Sequence, residues 1–132
     1  MPKLYLTEIL SAINGREVNF TDKEAEFWDF HFDTRLITKE KTLFFALKSE
    51  HNDGHRFVDA LEKSKGLAAV VAEDFKPKKV DLPLIYVKDT LQAAQDLAAY
   101  VRKKFNLVKY VGITGSAGKT TTKEFVYQIL SY

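Results

Sequence analysis

A glycine-rich segment near the end of the chain contains the residue types that bind phosphate. Apolar residues around Val111 lead into a run of small residues, and Lys119 then opens a helical pattern. Backbone N–H groups can surround a phosphate chain only where no Cβ intrudes, and glycines at 115 and 118 give that freedom. The helix adds unpaired N–H groups and the positive end of its dipole. The segment therefore predicts a strand, a phosphate-binding loop and a helix.

Two side chains of this loop could act on a bound triphosphate. Lys119 can neutralise the β- and γ-phosphates, and the Thr120 hydroxyl can coordinate Mg²⁺. The spacing departs from the strict phosphate-loop pattern, because five residues rather than four separate Gly112 from Gly118. A glycine-rich turn with a chance lysine is the alternative, and the strand–loop–helix context favours the phosphate loop.

Two polar segments lie earlier in the chain. Asp33, Thr34 and Arg35 follow an aromatic segment, and residues 52–56 form a polar loop before a helical pattern. Taken alone, the first segment is typical of a strand end with an internal salt bridge. The second is typical of an Asx-turn that caps a helix, which is compatible with binding.

Alternating strand and helix patterns must position these segments. The apolar periodicities predict strands at 16–18, 27–33, 42–47, 67–72, 84–87 and 109–114, and helices at 6–13, 55–65, 90–105 and 119–131. We expect Thr7 to cap the first helix, Asn14-Gly15 to end it, and Asp89 or Thr90 to cap the third. Alternation favours a core position for Trp28, Phe30 and Phe32, and a surface on which bases stack is the alternative. The pattern predicts an α/β domain with a largely parallel sheet.

Composition excludes several functional classes. The 132 residues suit one domain, and 45% apolar with 29% charged residues is typical of a globular chain. The chain has no cysteine, which excludes disulfides, thiolate zinc sites and cysteine nucleophiles. The net charge of +2 predicts no nucleic-acid binding, and no apolar run approaches the roughly 20 residues of a membrane span. The histidines at 31, 51 and 55 do not have the spacing of a metal site.

The glycine-rich segment 112–124, Gly-Ile-Thr-Gly-Ser-Ala-Gly-Lys-Thr-Thr-Thr-Lys-Glu, resembles the ATP loop of the Mur ligases, ATP-dependent amide ligases of bacterial peptidoglycan synthesis. That family's loop has the same extra residue. Asp33-Thr34-Arg35, residues 41–48 and residues 52–57 resemble blocks of the family's N-terminal domain, so the resemblance covers about residues 4 to 130. Thr34 stands where serine is common in the family, and Ala117 where asparagine is common.

The resemblance implies a division of the chain and a set of ligands. Residues 1–106 would be a small mixed sheet with flanking helices that binds a UDP-muramoyl peptide, and 107–132 would begin an ATP-binding domain. The residues implied for the UDP-sugar are Asp33, Thr34, Arg35, Asn52, Asp53, Gly54, His55 and Arg56. Those implied for ATP are Gly115, Ser116, Ala117, Gly118, Lys119, Thr120 and Thr121, with Lys119 and Thr120 acting in catalysis and Thr120 on Mg²⁺.

The loop is most similar to members that join D-alanyl-D-alanine to UDP-N-acetylmuramoyl-tripeptide through an acyl phosphate, in the bacterial cytoplasm. Such ligases are longer, so the resemblance implies an N-terminal fragment with no ligase activity alone. The apolar face of its last helix is expected to pack back on the domain or to drive self-association. The alternatives are a ligase adding the third peptide residue, a fusion to alanine racemase, a non-catalytic nucleotide-binding module, and a phosphate-loop kinase or GTPase.

Overall fold

The structure, a computed structural model, describes residues 3–37, 40–49, 52–61, 68–78 and 81–131. Its strands are β1 (Leu4–Tyr5), β2 (Arg16–Val18), β3 (Glu26–Phe27), β4 (Asp29–His31), β5 (Thr42–Phe45), β6 (Ala68–Ala72) and β7 (Leu84–Val87). Its helices are α1 (Leu6–Ile13), α2 (Thr90–Lys104) and α3 (Lys119–Leu130), with 3₁₀ helices at Thr34–Leu36 and Gly54–Ala60.

A five-stranded sheet has the order β2-β7-β6-β5-β4. Strands β4 to β7 are parallel, while β2 is antiparallel to β7, and β1 and β3 form a separate antiparallel pair. The predicted mixed α/β architecture with a largely parallel centre is confirmed. Because the four parallel strands end at the same edge, the loops that follow them lie side by side there.

The central strands are covered on both faces, which explains why their sequences are continuous apolar runs. Leu43 and Phe45 of β5 belong to a cluster with α1 and α2, whereas Phe44 and Ala46 belong to a second cluster beside the 3₁₀ helix Gly54–Ala60. This alternation follows from the two-residue period of a strand. Packing on both faces holds the end of β5 in place, and one of the two polar segments follows it in the chain.

Helix α1 has the predicted bounds but a different first turn. Tyr5, not Thr7, is its N-cap residue, and the Glu8 carboxylate accepts the Tyr5 N–H at 3.0 Å. The predicted end is confirmed, because Asn14 adopts a left-handed φ of 50° and the Gly15 N–H donates to the Leu10 carbonyl at 3.0 Å. The prediction of Thr7 as the N-cap is therefore wrong, and Glu8 joins the first turn of the helix to the Tyr5 backbone.

The same Glu8 carboxylate joins α1 to α2. It accepts the Tyr100 hydroxyl at 2.7 Å and lies 2.5 Å from the Lys104 ammonium. The Lys104 contact, followed by the bonds from the Tyr5 N–H and Tyr100, lowers the pKa of Glu8 to about 2. A depressed carboxyl pKa adds stability above the unfolded-state value near 4.5, and that stability is lost as the pH falls toward 2.

Glu8→Gln is expected to lower the free energy of unfolding at pH 6 by about 2 kcal/mol, since hydrogen bonds to a charged group are lost. It is also expected to flatten the decline in stability between pH 4.5 and 2. Urea unfolding across this pH range measures both effects, with the exposed-turn substitution Glu24→Gln as the control. Equal pH slopes for the native chain and Glu8→Gln would contradict the assignment.

The predicted capping of α2 by Asp89 is confirmed. Its Oδ1 accepts the N–H groups of Leu91 at 2.8 Å and Gln92 at 3.0 Å. Thr90 instead turns inward, where its hydroxyl donates to the Ala46 carbonyl at 3.0 Å. These bonds hold the start of α2 against the end of β5.

Asp89→Ala is expected to destabilise the chain by about 1 kcal/mol, because two N–H groups of the first turn lose their acceptor. The midpoint of urea unfolding should fall with an unchanged slope. Asp96→Ala is the matched control, since it removes only a bond to Gln92 on the same helix and should cost less than about 0.5 kcal/mol. Equal losses of unfolding free energy in the two variants would show that the Asp89 cap adds no more stability than the bond between Gln92 and Asp96.

The aromatic segment was predicted as one strand and forms two short ones. Among the described strands, β4 pairs only with β5, in a register that ends at His31 opposite Phe44, and the chain then turns. Phe32 is consequently 72% exposed, so its placement in the core was wrong. Trp28 is half-buried, with the Lys41 ammonium 4.8 Å from the centre of its ring. Of the three aromatic residues predicted in the core, Phe30 is the one that packs against it.

Three other predictions also need correction. Gly54–Ala60 is a 3₁₀ helix rather than the start of an α-helix, and 62–66 lie outside the described residues. Residues 109–114 form no strand, because no strand of the described ranges pairs with them. Helix α3 does not pack back on the domain, since Phe125 and Ile129 are 61% and 73% exposed. Self-association through α3 stays a prediction, which sedimentation would test.

Candidate functional site

A cleft of about 510 Å³ lies where the segments after β4 and β5 meet. The described residues that line it are Phe32, Asp33, Thr34, Arg35, Asn52 and Phe57. Two polar segments far apart in sequence therefore come together at the carboxyl edge of the parallel strands. This edge is where open α/β sheets bind ligands.

Asp33 and Arg35 form a tight pair on one wall of the cleft. The Arg35 Nη2 donates to Asp33 Oδ2 at 2.7 Å, and its Nε donates to Oδ1 at 3.0 Å. Asp33 also accepts the Arg35 backbone N–H at 3.0 Å, which caps the short 3₁₀ helix that carries Thr34. Hydrogen bonding from Arg35 lowers the pKa of Asp33 to about 2. The internal salt bridge expected from sequence is present.

This pairing orients the guanidinium without burying it. The Arg35 side chain is 86% exposed, against 28% for Asp33. Asp33 thus fixes one edge of the guanidinium, and the group still faces solvent beside the cleft. Such a planar cation suits bidentate binding of phosphate oxygens.

The second polar segment is anchored to the end of β5. The Gly54 N–H donates to the Leu47 carbonyl at 2.8 Å, and Asp53 and Lys48 form an isolated bridge. Asn52 accepts the Arg56 Nη2 at 3.0 Å through its side-chain oxygen. Of this predicted set only Asn52 lines the cleft.

The other residues of this set face away from the cleft or support it. Gly54 and His55 are buried, and Asp53 accepts the His55 N–H at 3.0 Å, which is the predicted Asx-turn. Arg56 is exposed and reaches Asn52 and the Asp53 carbonyl. The structure therefore separates a cleft-facing group, Asp33, Thr34, Arg35 and Asn52, from a supporting group, Asp53, Gly54 and His55.

Sequence reasoning preferred the core to a base-stacking surface for Phe32, and it missed Phe57 as a residue of the cleft. Phe32 was assigned to the core and Phe57 to the apolar stripe of a helix, yet they are 72% and 41% exposed. Exposed aromatic rings beside polar groups are suited to stacking on a planar ligand. A usable signal was their position, since each directly adjoins one of the two polar motifs.

The phosphate-loop segment forms a loop and a helix as predicted. Gly115 and Gly118 adopt positive φ values of 150° and 77°, and α3 begins directly after, at Lys119. The Lys119 ammonium donates to the Gly115 carbonyl at 2.5 Å and so lies over the loop. Residues 115–121 are all exposed. Among the described residues that line the cleft, none comes from this loop.

The residues present fit a phosphate chain better than a metal ion alone. Residues 118–121 are exposed, so the N-terminus of α3 is accessible to an anion. Thr120 offers one hydroxyl there. Within the described ranges no group of three or more His, Asp or Glu side chains could hold a metal, and His51 lies outside them.

No helix within these ranges has the length and apolar character to cross a membrane. No protein-family model matches the chain. Curated relatives do match it. The UDP-N-acetylmuramoyl-tripeptide–D-alanyl-D-alanine ligase of Treponema pallidum is 36% identical over 97% of this chain and 29% of its own length. The corresponding ligase of Haemophilus influenzae is 33% identical over 100% of this chain and 28% of its own length.

Relatives with a second name also match the chain. The UDP-N-acetylmuramoyl-L-alanyl-D-glutamate–2,6-diaminopimelate ligase of Listeria monocytogenes is 39% identical over 95% of this chain and 25% of its own length. The chain thus spans less than a third of the length of these curated relatives.

The comparison with solved structures gives the same result as the comparison with curated relatives. A solved structure of the UDP-N-acetylmuramoylalanyl-D-glutamyl-2,6-diaminopimelate–D-alanyl-D-alanyl ligase from Acinetobacter baumannii superposes with a TM-score of 0.77 and 31% identity. The match covers 99% of this chain and 28% of that one. Sequence and fold agree over almost the whole chain, and the chain belongs to the Mur ligase family.

Proposed function

We propose that this chain binds the UDP end of UDP-N-acetylmuramoyl-tripeptide in the cleft between Phe32 and Phe57. The observation that carries the proposal is the meeting of two separate polar segments in that cleft, with an exposed guanidinium held on one wall. The names of the relatives support it, since each is a ligase of a UDP-N-acetylmuramoyl peptide.

The chemistry of the cleft suits each part of UDP. Arg35 would bind diphosphate oxygens, because its fork matches their geometry and its charge is opposite. The Thr34 hydroxyl and the Asn52 amide would bind the polar edge of uracil. An exposed ring, Phe32 or Phe57, would stack on the face of the base. Asp33 would act through Arg35 by holding it in place.

We further propose that the glycine-rich loop binds ATP, with Mg²⁺ at Thr120, as part of a cytoplasmic ligase. The reaction implied is transfer of the γ-phosphoryl group of ATP to the peptide carboxylate, which releases ADP. The amine of D-alanyl-D-alanine then attacks the acyl carbon, and inorganic phosphate leaves as the amide forms. Lys119 would stabilise charge on the transferring phosphoryl group, and neither Lys119 nor Thr120 would act as acid or base. We expect no ligation by these 132 residues alone, so phosphate release that needs all three substrates would contradict this.

A ligase that adds diaminopimelate is the second candidate. The 39% identity to the Listeria monocytogenes ligase over 129 residues supports it. The relatives from Treponema pallidum and Haemophilus influenzae and the Acinetobacter baumannii structure support a ligase that adds D-alanyl-D-alanine. Both kinds of relative carry the UDP-N-acetylmuramoyl group in their names, so the proposed role of the cleft is the same in either case. The two candidates differ in the muramoyl peptide that is extended and in the incoming amine.

Calorimetric titration of the chain with UDP tests the proposed role of the cleft. Arg35→Ala is expected to weaken UDP binding about tenfold or more, because a charged hydrogen-bond donor to the diphosphate is lost. Arg102→Ala is the matched control, since it removes an exposed arginine of α2 that does not line the cleft. Equal UDP affinity for Arg35→Ala and the native chain would contradict the proposal.

A further inference from the structure

The His55 imidazole is held between two different elements. The side chain is buried, with the residue 7% exposed. Its Nδ1 lies 2.6 Å from Asp53 Oδ1, and its Nε2 accepts the backbone N–H of Ala72 at 2.9 Å. The ring also contacts Phe75, with centroids 5.0 Å apart. Both nitrogens are thus used inside the fold and neither is turned toward the cleft.

These partners determine which nitrogen carries the proton. The Ala72 N–H is a donor, so Nε2 must present its lone pair. The proton of the neutral ring then lies on Nδ1, where it is donated to the Asp53 carboxylate. The His55 side chain therefore links the loop after β5 to Ala72, the last residue of β6.

The linked loop carries the cleft-facing Asn52. Asp53 is the N-cap of the 3₁₀ helix Gly54–Ala60, and its carbonyl accepts the Arg56 Nε at 3.3 Å. Arg56 in turn donates to the Asn52 side-chain oxygen at 3.0 Å. On the other side, the Ser49 N–H donates to the Asn52 carbonyl at 2.8 Å. A displacement of Asp53 would therefore move Asn52.

We propose that His55 is a positioning residue: by bridging Asp53 and Ala72 it holds the 52–56 loop so that Asn52 lines the cleft. The family resemblance groups His55 with the residues that contact the UDP-sugar, and the geometry assigns it a different role. The expected effect of His55 on UDP affinity rests on the proposed function, whereas its effect on the loop does not.

Three substitutions and one measurement on the native chain separate these claims. His55→Asn keeps an amide near the Nδ1 position, His55→Gln keeps one near the Nε2 position, and His55→Ala keeps neither. Tyr100→Phe is the control for general destabilisation, because it removes one hydrogen bond between α1 and α2, which do not line the cleft. NMR of the native chain reads the His55 tautomer, and backbone amide spectra of every protein read the 52–56 loop before UDP is added.

The native spectrum is expected to show Nδ1 protonated and Nε2 unprotonated. His55→Ala is expected to shift the amide signals of 52–56 and to weaken UDP binding about tenfold, roughly the loss of one hydrogen bond from the Asn52 amide. His55→Asn and His55→Gln should fall between His55→Ala and the native chain, while Tyr100→Phe should bind UDP as the native chain does.

Several results would overturn the inference. Protonated Nε2 in the native chain would do so without any variant, and so would 52–56 amide signals unchanged in a folded His55→Ala. Weakened UDP binding without loop shifts would make His55 a ligand contact instead. If the native chain does not bind UDP, the proposed function fails, and the tautomer and loop spectra alone then decide whether His55 positions the loop.

Discussion

Gly54→Ala is expected to destabilise the chain by about 2 to 3 kcal/mol, because the added methyl group has no space. A Cβ at this position would lie 2.9 Å from both the backbone nitrogen and the backbone oxygen of Leu47. These atoms belong to the chain directly after β5, and the Gly54 N–H donates to the same oxygen at 2.8 Å. Relief requires the loop to move away from the sheet, which displaces Asn52 as well.

Urea unfolding of Gly54→Ala measures this loss, and titration of its folded form with UDP measures the displacement of the cleft. Gly112→Ala is the matched control, since a Cβ there would meet no atom within 4 Å. We expect Gly112→Ala to unfold within about 0.5 kcal/mol of the native chain. A Gly54→Ala protein as stable as the control would show that the loop is not packed against Leu47 as described.

Lys119→Ala is expected to weaken the binding of Mg²⁺-ATP by about 10- to 100-fold, the usual loss when one charged hydrogen-bond donor is removed. Lys119 lies at the start of α3 with its ammonium over the loop, 2.5 Å from the Gly115 carbonyl. It is therefore placed to add its charge to the N–H groups of the helix terminus. Calorimetric titration with Mg²⁺-ATP measures the effect.

Lys123→Ala is the control for the loss of one positive charge from the same helix. Lys123 pairs with Glu124 at 2.7 Å and lies a turn beyond the loop. We expect it to change ATP affinity by less than about threefold, because solvent screens exposed charges. Equal losses in Lys119→Ala and Lys123→Ala would show that the loop binds ATP only through its general charge.

Local patterns predicted most of the fold. The bounds of α1, β2 and β7, and the capping of α2 by Asp89, follow from apolar periodicity and side-chain acceptors close in sequence. Predictions failed where distant contacts decide the outcome. Alternation placed Phe32 in the core, but β4 ends when its pairing with β5 ends, and no local pattern encodes that register. Segment 109–114 has the composition of a strand and lacks a paired neighbour among the described strands.

The residues of the candidate site could be predicted from the sequence, but their roles could not. Motif resemblance identified both polar segments, and the structure brings Asp33, Thr34, Arg35 and Asn52 into one cleft. The resemblance could not distinguish a cleft-facing side chain from a supporting one. The direction of each side chain depends on contacts with Ala72 and Leu47, which lie elsewhere in the chain. Phe57 was missed, and the core was preferred to base stacking for Phe32, because apolar residues are assigned to a core by default.

The central claim is that the two polar segments form one site for the UDP group. The most direct test records amide spectra of the native chain during titration with UDP. We predict that signals of 32–35 and of 52–57 shift together with one dissociation constant, while signals of 115–121 stay unchanged. Shifts confined to 115–121, or no shifts at all in the folded chain, would contradict the claim.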